Sequence, residues 1–176
     1  MINEISVHPK PQNNNAKILM GAFFTVFAAL FVVSTQIERF RGLVAMAALL
    51  FLVSALLVYT KYVSVDFYYD IMNDESGEGL FVVRQTVGRR SITLCRISLS
   101  DIVKIEKESR EQRKAHKTER GVAKYFYTPT LSPSVSYRIF AKNRHESSEI
   151  IVEGSDEFIA MLTELSQNQV KSNEEE

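Results

Sequence analysis

Two stretches near the start of the chain, Ile18 to Ile37 and Gly42 to Thr60, contain no charged side chain. Leu, Phe, Val, Ala and Met occur on every side of the helical turn in both, so neither has the polar stripe of a core helix. A bilayer core of about 30 Å takes roughly 20 apolar residues in helical form, because lipid offers no partner to an unpaired backbone group. The pattern therefore predicts two transmembrane spans, about 18–37 and 42–60. Only Glu38-Arg39-Phe40-Arg41 lies between them, too short to cross back, so the spans form an antiparallel hairpin with both ends on one side.

From Val63 the period changes to two. Val63, Val65, Phe67, Tyr69 and Ile71 alternate with Ser64, Asp66, Tyr68 and Asp70, the signature of a half-buried strand. Turn residues at Asn73 to Gly79 lead to a β-rich run, Leu80 to Val87, and Gly88-Arg89-Arg90 turns the chain again. A third strand, Ser91 to Ile97, shifts its apolar face between Leu94 and Cys95, which predicts a bulge or two-sided cover. Ile102, Val103 and Ile105 begin a fourth strand, and from Glu106 to Lys124 a loop or frayed hairpin extension is expected. Strands resume at Tyr125 to Tyr127, at Val135 to Ala141 with Ser136, Arg138, Phe140 and Lys142 on the other face, and at Ile150 to Val152. Ser155 then caps a helix with Asp156 and Glu157 in its first turn and Phe158, Ile159, Leu162 and Leu165 as its apolar stripe.

The resulting plan has a disordered tail (1–16), a transmembrane hairpin (17–61), an α+β domain (62–167) and an acidic disordered tail (168–176). The domain is expected to contain about seven antiparallel strands, in a curved sheet or partly open barrel, and one C-terminal helix. The segment Arg96-Ile97-Ser98-Leu99-Ser100-Asp101-Ile102-Val103-Lys104-Ile105, the strand Tyr125-Phe126-Tyr127 before Ser136-Tyr137-Arg138-Ile139, and Ser155-Asp156-Glu157-Phe158 carry a likeness to a known family. With the two-span layout, the chain resembles the bacterial pleckstrin-homology-like domain proteins of Gram-positive bacteria. That resemblance implies a fold and no catalytic signature.

Charge alters the picture little. The chain has 21 basic and 21 acidic residues, and the part after Lys61 is net acidic, which gives no ground for nucleic-acid binding. Cys95 is the sole cysteine, so no intramolecular disulfide forms, and a reducing compartment fits. Lys10, Lys17 and Lys61 on the terminal side outnumber Arg39 and Arg41 at the turn. Together these predict a multi-pass protein of the cell membrane with its termini and domain in the cytoplasm. The two long apolar runs follow one another without a small-residue cleavage site, so both are read as retained spans.

Catalytic chemistry finds no motif. His8, His116 and His145 have neither HExxH spacing nor a second cysteine to complete a zinc pattern, and they read as solvated. Cys95 reads as a small core residue, and Gly77, Gly79 and Gly88 do not form a phosphate-cradling loop. No cofactor, no metal and no enzymatic activity are expected. Two features suggest contacts. Gly21, Thr25 and Ala29, four residues apart, form a small-residue stripe for close approach of either the second span or another copy of the chain. Arg110, Arg113, Lys114, Lys117, Arg120 and Lys124 crowd one segment, with Arg89 and Arg90 in an earlier turn, as candidate contacts to anionic lipid, diluted by Glu106, Glu108, Glu111 and Glu119. The expected function is a noncatalytic interaction module that presents its domain at the membrane to a protein or peptide partner. The alternative is an accessory subunit of a membrane complex acting mainly through the hairpin.

Overall fold

The computed structural model describes residues 4–116, 121–143 and 146–174. The chain divides into two compact units: residues 13–65, and the tail through Gln12 together with the chain from Asp66 onward.

The first unit is the helical hairpin. Helix α1 (Asn15–Gln36) and helix α2 (Arg41–Val58), the latter extended by a π turn at Tyr59–Val63, are each long and apolar enough to cross a membrane. Their contact is built from small residues, with Ser34, Ala48 and Ala55 buried and the rings of Phe23 and Phe51 6.1 Å apart. The stripe Gly21, Thr25 and Ala29 lies on the exposed side of α1 and takes no part in that contact. Hydroxyl groups on both helices are satisfied by their own backbone: Thr25 donates to Gly21 O, Ser34 to Phe31 O and Ser54 to Leu50 O.

The second unit contains two four-stranded sheets and helix α4 (Asp156–Glu174). The first sheet runs β1 (Ile5–Val7), β2 (Val65–Asn73), β3 (Gly79–Val87) and β4 (Arg90–Ser98) in spatial order. The second comprises β5 (Ile102–Ser109), β6 (Val122–Tyr127), β7 (Val135–Lys142) and β8 (Ser147–Val152), ordered β5-β7-β8-β6. The shift expected near Leu94 is a bulge: Val83 pairs with Cys95 and Arg84 with Thr93, which leaves Leu94 unopposed. Its carbonyl accepts from Tyr127 Oη at 3.4 Å, so the bulge on β4 receives the edge of the other sheet.

Four expectations need correction. From residue 4 onward the N-terminal tail is structured: Ile5, Ser6 and Val7 pair with Ile71, Asp70 and Tyr69, and Gln12 bonds to Ser134 and Thr130. Three residues bury too little to announce a strand by themselves; the waiting edge of β2 supplies the stability. Among the described residues the strands number eight, lie in two sheets and are not all antiparallel, since β6 joins β8 in parallel. The segment expected to be a loop or frayed hairpin extension continues β5 to Ser109 and then forms helix α3 (Arg110–Ala115), held by a capping box between Ser109 and Gln112. Finally, α4 continues through Glu174, beyond the point where an acidic tail was expected to begin.

The core lies between the sheets and beneath α4. Tyr69 occupies its centre, fully buried, its ring 6.3 Å from both Phe81 and Phe158. Its hydroxyl donates to Tyr127 O at 2.6 Å and accepts from Glu153 N at 3.1 Å. Ser155 accepts from Phe158 N at 3.2 Å, so the expected cap starts α4 where Phe158, Ile159 and Leu162 enter the core. Tyr69→Phe keeps the ring packing but leaves a buried N–H and C=O without their partner, and should cost about 1–3 kcal/mol. Urea unfolding of the full chain in detergent, followed by circular dichroism, measures that loss.

Candidate functional site: an open strand edge beside helix α4

Between β4 and β5 the chain turns a corner at Leu99–Asp101. Ser98 Oγ accepts from Ser100 N at 3.2 Å, Glu78 accepts from both serine hydroxyls, and Leu99 is buried against α4. Burial raises the carboxyl of Asp101 above its ordinary pKa, with the Glu78 charge adding to the effect. The corner sets β5 down beside the second half of α4. β5 pairs with β7 alone, so among the described residues its other edge carries no strand.

A groove of about 480 Å³ lies along this edge, with Ile102, Val103, Lys104 and Ile105 on one wall and Thr163, Ser166, Gln167 and Val170 on the other. Thr163 donates to Ile159 O and Ser166 to Thr163 O, so these hydroxyls are spent on the helix and the wall they leave is small and weakly polar. The pairing of β5 slips between Ile102 and Lys104, making Val103 a bulged residue, and its side chain is 69 % exposed. An exposed aliphatic side chain on an unpaired edge is a place where another strand can add, using main-chain hydrogen bonds for affinity and pockets for alternate side chains.

Among the described residues, the candidate basic side chains divide between solvent and internal partners. Arg89 and Arg90 lie at the exposed β3–β4 turn, and Arg110 and Lys114 are exposed on α3. Arg113 turns inward, donating from Nη2 to Pro133 O at 3.1 Å, and desolvation lowers its pKa. Lys124 lies 3.9 Å from Glu149 and over the ring of Phe126. Lys117 and Arg120 lie outside the described residues, as does His145.

Arg138, which alternation puts on the face of β7 opposite Val135, Tyr137 and Ile139, is fully buried, donating to Glu149 at 2.7 Å and Glu108 at 2.8 Å. His116 Nε2 sits 3.2 Å from the same Glu149. Alternation marked the face of β7 that carries Arg138, but α3 and the carboxylates of β5 and β8 cover that face, and only the strand register brings them there. His8 stacks on Tyr68 with centroids 4.8 Å apart. Burial pushes the Cys95 thiol up to about 11, away from thiolate chemistry at neutral pH. Among the described residues no group of His, Cys, Asp and Glu is arranged to hold a metal ion.

No family model matches the chain, and no curated protein or solved structure matches it.

Two outcomes follow from the charged interior. Arg138→Ala removes the buried guanidinium that Glu108 and Glu149 share and should cost about 3–5 kcal/mol in urea unfolding. Burial also raises the carboxyl of Glu153, which accepts from Thr130 N and Oγ1 at 2.9 and 2.7 Å. The folded state therefore holds this proton more tightly than the unfolded state, and the contribution of Glu153 to stability falls as pH rises from about 4.3, the ordinary value, through the raised one. Glu153→Gln should flatten that part of the profile when melting temperature is followed against pH.

Proposed function

We propose that this chain is a membrane-anchored, noncatalytic interaction module whose pleckstrin-homology-like domain binds a protein or peptide partner by strand addition at β5, against α4. The observation that carries this reading is the unpaired β5 edge facing the groove, with Val103 exposed beside it. The order of elements, two sheets followed by one C-terminal helix, supports the pleckstrin-homology-like assignment.

Membrane crossing by α1 and α2 is supported by their length, by outward side chains such as Phe31, Leu43, Met46 and Leu50, and by hydroxyls that bond internally, as lipid requires. Pairing of β1 with β2 supports retention of both helices and an even number of crossings, because the segments flanking the hairpin belong to one sheet. The cytoplasmic side is favoured by the lone cysteine and by the small lysine excess at the terminal end.

A photo-crosslinking residue placed at Val103 of the full chain should yield a protein adduct in intact membranes that Val170→Lys, on the facing wall, abolishes. Adducts unchanged by Val170→Lys, or none at all, would reject the groove as the binding site. The outward stripe Gly21, Thr25 and Ala29 favours a second reading, an accessory subunit acting through its helices. Exchange of the hairpin for unrelated spans separates the two: the strand-addition reading expects the Val103 adduct to persist, and the accessory reading expects it to disappear.

A further inference from the structure

The β3–β4 connection is a two-residue turn: Val87 pairs with Arg90, and Gly88 adopts φ +60°, a conformation open to glycine at little cost. Arg89 and Arg90 are exposed there. The other arginines of this hairpin are engaged, Arg84 with Asp70 and Arg96 with Asp74 at 3.4 Å, whereas Arg89 and Arg90 have no ion pair among the described residues. No acidic residue occurs from Gly79 to Ser98. Val87 and Ile92 lie on the same sheet face, one opposite Arg90 and the other opposite Gln85, and are 44 % and 59 % exposed.

Strand direction gives this tip its significance. The chain enters β2 next to Asp66, turns at Asp74–Glu78, and returns along the equally long β3, so Val87 comes back to the end from which β2 began. β1 runs antiparallel to β2 and continues through His8, whose Nδ1 is 3.0 Å from Phe67 O, toward Gln12. Both connections to the helices therefore leave from the end of the first sheet that carries the Arg89–Arg90 turn.

We infer that the β3–β4 tip rests on the anionic surface of the bilayer that holds the helices, with Arg89 and Arg90 on headgroup phosphates and Val87 and Ile92 in the interface. This inference rests on the membrane-anchored reading above. Of the other basic candidates, Arg113 on α3 and Lys124 on β6 are turned to internal partners. Charge complementarity selects an anionic lipid surface, and the exposed aliphatic pair adds an apolar contact that a soluble anion would not use.

The test uses the full chain in proteoliposomes, in a Cys95→Ala background, with a fluorophore at Ser91→Cys or, as a reference, at Leu50→Cys in α2. Headgroup nitroxide lipid should quench the Ser91 label in phosphatidylglycerol-containing bilayers and much less in phosphatidylcholine alone. Each arginine near an anionic surface is worth roughly fivefold in the contact equilibrium, so Arg89→Glu with Arg90→Glu should remove most of the difference. Val87→Ser with Ile92→Ser should lower quenching while leaving its dependence on anionic lipid. Ser91 quenching that is equal in the two lipids, or that survives the double charge reversal, overturns the inference while a Leu50 label quenched by acyl-chain nitroxide keeps the anchoring intact. An unquenched Leu50 label overturns both.

Discussion

Tyr69 ties the domain together. It lies on β2, so its backbone belongs to the first sheet; its hydroxyl bonds to Tyr127 O in the second sheet and to Glu153 N just before α4; its ring packs on Phe158 of that helix. One buried side chain thus sets the separation of two sheets and the seat of a helix, and burial raises its own pKa strongly. The groove depends on this anchor. Because Phe158, Ile159 and Leu162 hold the first turns of α4 in the core, the later turns from Thr163 to Val170 stand alongside β5 without filling its edge.

The far face of the second sheet is organised by charge. Arg138 carries a full guanidinium into a buried site, which is unfavourable in isolation, and Glu108 and Glu149 from the two neighbouring strands compensate it. The bonds fit one alignment of β5, β7 and β8. A slip of one residue would turn Arg138 toward the apolar core and leave the carboxylates unpaired. His116 at the end of α3 and Lys124 on β6 converge on the same Glu149, so this cluster also ties the end of α3 to the sheet.

A different constraint comes from the three-residue strand β1. Its pairing with β2 means that the chain leaves the domain after Gln12, forms two long apolar helices, and rejoins the same sheet. The helices must therefore return the chain to the place it left, whatever medium surrounds them. That closure is independent of hydropathy.

Much of this was legible in the sequence because it depends on local period. Two charge-free runs of about twenty residues suffice for the helices, alternation marked β2, β5 and β7, β-rich runs bounded by turn residues marked β3 and β4, the face change at Leu94–Cys95 marked the bulge, and Ser155 marked the start of α4. Period reports which face a side chain occupies. It does not report which strand lies alongside. The order of β1 on β2, the parallel addition of β6 to β8, the burial of Arg138 and the division of the basic residues between interior and surface were decided only by tertiary structure. Each depends on contacts between residues far apart in the chain, whose stability comes from the assembled core and not from the segments themselves.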